Sequence, residues 1–376
     1  MTTDVRKAPF LPVAVLCCLG FAAVWLPFLH VAPNRLLSGV ARSPHEIVLA
    51  VAWLAVAGLA WFIRSRTLAI ACVSAMVVAL PWLAGHDAGR LLDGAAPTSR
   101  VQTGAGFWTM WLAAGLLLLD RLRGLSLRWR AATWAAIALA VLSLAMGGAF
   151  GDIAIVREYR AQRGVFIDAF WTHVALSGTT LLLALAIGLP LGAWAWRAKR
   201  AGGVLLGVFS FLQTVPSLAL FALLIGPFAW LARAWPALGA LGFGGTGAAP
   251  AVFALVLYAL LPVLRYTVTG LDAAPADARD AARGLGMSRW HVLARIQVPL
   301  GLPVLLSGLR IVAVQTVGLA AVASLIGAGG LGRFVFLGIG QGATDMVLLG
   351  TLAIIALAFA MDLLFQGLHA LAEVRA

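Results

Sequence analysis

Long apolar stretches recur along the whole chain and are separated by short polar or charged segments. A helix needs about 17–25 residues to cross the hydrocarbon core of a bilayer, which is about 30 Å thick. Ten stretches meet this length: residues 10–29, 46–63, 67–84, 104–120, 131–150, 172–195, 203–226, 250–270, 302–326 and 346–367. The pattern therefore predicts an all-α, polytopic membrane helix bundle of about ten spans.

The composition agrees with a membrane protein. Hydrophobic residues make up 62% of the chain and charged residues only 11%, whereas soluble domains are about 45–50% apolar and about 25% charged. A formal charge of +13 would suggest nucleic acid in a soluble protein. Here the basic residues fall in loops between spans, where they orient the helices and meet anionic lipid, so we expect no nucleic-acid partner.

The distribution of arginine and lysine predicts the topology. If the N-terminus is cytoplasmic and the spans alternate, the cytoplasmic segments carry more basic residues than the external ones, above all in the short loops. One such loop holds Arg121, Arg123, Arg128 and Arg130. We therefore expect a multi-pass membrane protein with both termini in the cytoplasm.

The chain divides into three predicted parts. Residues 1–150 form an N-terminal extension of five spans with few polar residues inside them. Residues 151–171 are mixed and amphipathic, and we predict an external connector there, which either lies along the membrane surface or leads into the next span. Residues 172–376 form a second block of five spans, which contains nearly all the informative motifs.

A long charged connector, residues 272–300, lies on the predicted cytoplasmic side between the eighth and ninth spans. It predicts two short helices. The first follows Asp272 as a possible N-cap and is stopped by Gly286, because glycine takes the left-handed conformation without penalty. The second is capped by Ser288 and ends before Pro299. Such a pair of helices would make a rigid handle for a partner protein.

The same connector resembles the loop that importer permeases of the ABC class share. Their pattern is Glu-Ala-Ala, three residues, Gly, nine residues, then Ile-x-Leu-Pro. The matching positions here are Asp280, Ala281, Ala282, Gly286, Ile296 and Pro299, with the full spacing. The resemblance implies that this loop docks on a separate ATPase subunit and transmits its closure. Two positions depart from the pattern: Asp280 replaces the glutamate and is one methylene shorter, and Val298 replaces the leucine.

Four further stretches narrow the resemblance to permeases for glycine betaine, choline, carnitine and related osmoprotectants. They are Gln213–Leu220, Leu257–Pro262 with Arg265, Gln315–Gly318 and Ile326–Gly332. The run Ala32–Gly39 also resembles the first external loop of a subgroup with extra N-terminal spans. The resemblance implies two ATPase subunits, an external solute-binding protein and a second, different permease chain. The sequence shows no aromatic box, so a cage for quaternary ammonium is expected in the binding protein.

Several polar residues are predicted to lie at membrane depth. They are Gln213, Thr214, Ser217, Arg310, Gln315 and Thr316, and Pro216 can kink the seventh span among them. Polar groups are costly against lipid and usually face other helices or water. These residues either line a translocation pathway or only join helices by hydrogen bonds. No carboxylate is predicted at a span centre, which leaves backbone carbonyls, Gln315 or a neighbouring chain as partners for Arg310.

The sequence predicts no enzyme activity and no cofactor for this chain. Its two lysines, Lys7 and Lys199, do not follow a phosphate-binding glycine loop, so ATP and magnesium are expected on the partner subunit. Two Gly-x-Gly-x-x-Gly strings, residues 242–247 and 327–332, adjoin membrane helices and predict turns rather than a dinucleotide site. The alternatives are the same importer class for amino acids or other small solutes, and an ion-coupled secondary carrier that acts alone.

Overall fold

The computed structural model describes residues 10–37, 39–62, 65–240 and 242–373. Within them, eight helices are long and apolar enough to cross a membrane, and two shorter apolar helices are Pro12–Trp25 and Glu46–Gly58. Each of the ten predicted spans overlaps one of these helices, which confirms the predicted fold class. The chain forms two compact units. The first is Met1–Ala161 with Gln341–Asp345, and the second is Gln162–Gly340 with Met346–Ala376.

The first unit is a bundle built on its most buried helix. Its helices are α1 (Phe10–Ala22), α2 (Glu46–Phe62), α3 (Arg66–Leu92), α4 (Ala105–Leu122), α5 (Leu127–Met146) and α6 (Ala154–Ala161). One face of α4 is fully buried through Met110, Ala114 and Leu118. The indole of Trp53 lies over Gly20 and donates to the carbonyl of Cys17 at 2.8 Å, so that α2 packs closely on α1.

A small antiparallel sheet, which hydropathy did not predict, joins the loops of the first unit. Its strands are β1 (Leu29–Ala32), β2 (Val40–Arg42) and β3 (Arg100–Thr103), in the order β2-β1-β3. Leu29 pairs with both Arg42 and Thr103. The run Ala32–Gly39 forms the connection from β1 to β2, apart from Ser38, which lies outside the described residues. There the side chain of Asn34 accepts hydrogen bonds from the backbone amides of Leu36 and Leu37.

The second unit contains the remaining helices. They are α7 (Arg163–Arg197), α8 (Lys199–Leu212), α9 (Ser217–Ala234), α10 (Pro236–Ala240), α11 (Ala248–Asp272), α12 (Ala276–Gly284), α13 (Arg289–Val292), α14 (Val298–Val322), α15 (Gly332–Gln341) and α16 (Thr344–Glu373). Helix α7 begins inside the predicted connector. Its mixed first turns therefore belong to a long helix and not to a separate surface segment.

Helix α11 is the centre of the second unit. It packs against α7 and α14, and small residues bring the backbones together. A Cβ at Gly301 of α14 would overlap the carbonyl oxygen of Gly270, and one at Gly188 of α7 would lie 2.6 Å from Val263. Without hydrophobic driving force in lipid, close packing of this kind holds membrane helices together.

The seventh span differs from its prediction. Residues 203–226 are not one helix, because α8 ends at Leu212 and α9 starts at Ser217. Pro216 has an extended ψ of 134° and lacks an amide hydrogen. A proline also disfavours helical geometry in the residue before it. The predicted kink is therefore a complete break, and the long apolar helix is Ser217–Ala234.

Candidate functional site

The first helix of the connector, residues 272–300, has well-defined ends. Pro275, with ψ of 143°, precedes α12, and Asp272 is the last residue of α11 instead of the predicted N-cap. Gly286 stops the helix at a φ of +78°. The amide of Gly286 donates to the carbonyl of Arg283 at 2.9 Å, and the amide of Met287 donates to the carbonyl of Ala282 at 3.1 Å. This pair of hydrogen bonds is a Schellman motif. The predicted role of Gly286 as the helix stop is confirmed.

The second helix does not end where it was expected. Ser288 caps α13 by accepting from the His291 amide at 3.3 Å, as predicted. The chain then passes through a π-helical turn, Leu293–Gln297, and continues as α14 through Pro299. A proline clashes with the carbonyl four residues before it in a regular helix. The wider turn before Pro299 removes that conflict, so one continuous element joins the connector to the ninth span.

Three contacts fix the base of the connector to the spans. The buried Gln297 side chain donates to the carbonyl of Leu271 at 3.2 Å. The indole of Trp196, at the end of α7, donates to Asp272 at 2.7 Å. The guanidinium of Arg197 lies 4.9 Å from the ring centre of Trp290. The connector is therefore attached at its base to α7, α11 and α14.

The tip of the connector is exposed, while its inner face is packed. Leu285 is 83% exposed, whereas Ala282 is 4% exposed. The Asp280 carboxylate accepts from Arg283 at 3.0 Å across one exposed helical turn. Exposed pairs of this kind contribute little to stability. The arrangement leaves an apolar residue and a charged pair available for a partner protein. Ala281 is exposed beside them, and Ile296 and Pro299 are half-buried at the base.

The break between α8 and α9 is tied to the central helix. The Gln213 side chain donates to the carbonyl of Tyr258 at 2.8 Å, and the Tyr258 hydroxyl donates to the carbonyl of Val215. Thr214 donates to Phe211 at 2.7 Å, and Ser217 is half-buried at the start of α9. The break thus places polar backbone and side chains beside the central helix, where Gln213 and Ser217 are half-buried and Thr214 and Pro216 are exposed.

The partner of Arg310 is a carboxylate that the sequence analysis discounted. Its guanidinium binds Asp362 of α16 through two parallel hydrogen bonds, from Nε to Oδ1 and from Nη2 to Oδ2 at 2.8 Å. Asp362 lies within the predicted span 346–367, near its end and not at its centre.

The two remaining predicted pathway residues occupy different surroundings. Gln315 is exposed and lines a groove with Arg310 and Asp362. Thr316 is 3% exposed, and its hydroxyl donates to Val312 of its own helix at 2.7 Å. The structure therefore groups Gln315 with Arg310, while Thr316 packs inside the bundle and stays a prediction as a pathway residue.

A buried polar stripe on α7 was not singled out from the sequence. His173, Ser177 and Thr180 fall on one face at helical spacing, and all three are buried. His173 Nε2 lies 3.0 Å from the carbonyl of Val317 on α14. Among the residues that the structure describes, the hydroxyls of Ser177 and Thr180 have no hydrogen-bond partner. The signal for this stripe in the sequence is the spacing of its polar residues, three and four positions apart within an apolar span.

Comparison with known proteins assigns both halves of the chain. The family model described as the binding-protein-dependent transport system inner membrane component matches residues 184–373, which is half of the chain. A second model, the N-terminal domain of the ABC transporter permease YehY, matches residues 9–156.

Related proteins include osmoprotectant permeases. The osmoprotectant import permease protein OsmW of Salmonella typhimurium is 37% identical over 206 residues, covering 55% of this chain and 91% of its own. The carnitine transport permease protein OpuCB of Listeria monocytogenes is 35% identical over 209 residues, covering 56% and 88%. A solved structure of the MetNI methionine ABC transporter in inward-facing conformations has a TM-score of 0.47 at 20% identity, covering 56% of this chain and 98% of its own. The chain belongs to the family of binding-protein-dependent transport system inner membrane components.

Proposed function

We propose that the chain is the membrane-spanning permease of an ATP-driven importer for small osmoprotectants such as glycine betaine, choline or related quaternary amines. Its family consists of inner membrane components that work with a binding protein, and the ATPase is a separate subunit. The chain is therefore a multi-pass transport subunit and not an enzyme, and it needs no cofactor of its own. The substrate class is supported by relatives that carry osmoprotectants or carnitine.

The observation that carries the coupling mechanism is the connector with an exposed tip and a fixed base. Leu285 and the Asp280–Arg283 pair are available to a partner, while Gln297 and Trp290 tie the base to the spans. Two ATPase subunits close on ATP and push the connectors, which switches the pathway between outward-facing and inward-facing states. ATP acts here because it binds the two conformations with different affinity.

The proposed pathway uses the polar groups that remain open to the bundle. Gln213, Thr214, Pro216 and Ser217 form the break between α8 and α9, and Arg310 with Gln315 lines a groove on α14. An external binding protein delivers the solute to the outward side. In this proposal, the five spans from α7 to α16 carry the solute.

We also propose the assembly and its orientation. The Lys and Arg bias of the short loops supports cytoplasmic termini, and a cytoplasmic connector requires the same orientation. The second permease chain in this proposal is a different, shorter one, as the resemblance to the subgroup with extra N-terminal spans implies. Two ATPase copies then meet two connectors of unequal sequence.

The test is ATP-dependent uptake of radiolabelled glycine betaine into proteoliposomes that hold this chain, its ATPase, its partner permease and the binding protein. Uptake should vanish when either ATP or the binding protein is omitted. ATP hydrolysis stimulated by the loaded binding protein, without betaine uptake, would keep the permease assignment and reject the substrate. Deleting Ala281–Gly286 should leave an inserted protein that transports nothing. Unchanged transport by that variant would reject the coupling role of the connector.

A further inference from the structure

Two opposite charges meet within the membrane-spanning part of the second unit. Arg310 of α14 and Asp362 of α16 form a bidentate pair, and the Gln366 side chain donates to the same carboxylate at 2.7 Å. The side chains of Arg310 and Asp362 remain 41% and 23% exposed. A charge facing lipid at this depth costs at least a few kcal/mol. This side of the helix pair must therefore face water or protein.

The exposed sides of both charges open into one groove of about 820 Å³. Ile311 and Val314 add apolar surface to its lining. The further polar groups of the lining are Ser307, Gln315, Gln366 and His369. Small-molecule sites in proteins have volumes of about 300–1,000 Å³ and combine apolar walls with a few placed polar groups. The groove therefore has the size and the lining of a site for a small solute.

The charges of the groove match a molecule that carries both signs. A guanidinium has five N–H donors, and the pair with Asp362 uses one on Nε and one on Nη2. Three donors remain for a second carboxylate. A quaternary ammonium has no N–H to donate, so it needs only a nearby negative charge and apolar contact, which Asp362 and the apolar wall supply.

We infer that this groove is a subsite for zwitterionic solutes, with the solute carboxylate on Arg310 and its cationic head beside Asp362. The inference rests on the proposed function and adds a selection rule to it. A betaine uses both charges of the pair, whereas choline has no carboxylate and uses Asp362 alone. The permease itself then favours zwitterions over simple cations, in addition to whatever the binding protein selects.

The experiment measures solute moved per ATP hydrolysed, in proteoliposomes with the complete importer and saturating loaded binding protein. Arg310→Met should lower this ratio for glycine betaine by about tenfold or more, the loss expected for charge-assisted hydrogen bonds to a carboxylate. Choline should keep its wild-type ratio. Arg233→Met is the matched control, because Arg233 hydrogen-bonds to its own helix at Ala229 and does not line the groove.

A double variant distinguishes a role of the pair in solute recognition from a role in holding α14 against α16. Arg310→Met with Asp362→Met removes both charges, so no unpaired charge is left between the helices. Betaine transport that stays low in this variant supports the subsite. Recovery of betaine transport, or equal losses for both solutes in Arg310→Met, would mean that the pair only holds α14 against α16. A wild-type importer that moves neither solute would instead reject the proposed function, and the subsite with it.

Discussion

Leu285 is the residue whose change most directly tests the docking of the connector. The side chain is 83% exposed in the chain, so Leu285→Ala removes almost nothing from the chain's own packing. If the residue is buried on the ATPase, the lost carbons are worth ~2 kcal/mol at about 0.8 kcal/mol for each methylene. That free energy corresponds to an affinity about 30-fold weaker, at tenfold for each 1.4 kcal/mol.

The assay is a titration of the importer's labelled ATPase into nanodiscs that hold the permease pair, followed by fluorescence anisotropy. The unfolding temperature of the nanodisc-bound permease should stay unchanged, because exposed positions rarely contribute more than about 0.5 kcal/mol. Leu285→Met keeps most of the apolar area and is the matched control. An unchanged affinity for Leu285→Ala would refute the reasoning, since the exposed leucine would then lie outside the ATPase interface.

Three further changes test the packing and the polar contacts. Gly301→Val should lower the unfolding temperature in detergent, because its side chain would overlap the facing backbone of α11, and overpacking costs about 1–3 kcal/mol. Tyr258→Phe should cost about 1 kcal/mol in the same measurement and reduce uptake, since it frees the carbonyl at the break between α8 and α9. Glu158→Gln should cost about 1–3 kcal/mol in chemical unfolding, because the buried carboxylate binds two arginines of the first unit.

Gly301→Val and Glu158→Gln each have a control in the same chain, and Tyr258→Phe has a companion variant. Gly318→Ala should be neutral or stabilising, because a Cβ there meets nothing within 4 Å. Asp280→Asn should cost less than about 1 kcal/mol, since its pair with Arg283 is exposed. Gln213→Leu should reduce uptake like Tyr258→Phe if the two hydrogen bonds act together. Equal costs for Glu158→Gln and Asp280→Asn would contradict the argument from burial.

Local features of the connector could be predicted because their causes are local. A glycine at position 286 stops a helix through its own backbone freedom, and Ser288 caps the next helix through an amide three residues away. The exposed pair of Asp280 and Arg283 joins two residues one helical turn apart, so its cause is local as well. In contrast, the continuation through Pro299 depends on a π-helical turn, which has no reliable signal in hydropathy.

The sequence by itself determined the membrane class, the ten apolar segments and the helix stop and helix cap of the connector. Hydrophobic length and the short-range spacing of caps and small residues are sufficient for these features. Only the tertiary structure decided that Arg310 binds Asp362, 52 residues away, and that Tyr258 holds the broken seventh span at Val215. In spans that are apolar on nearly every face, hydropathy does not define the rotation of a helix about its axis. Packing between helices sets that rotation, and it therefore decides which polar groups meet.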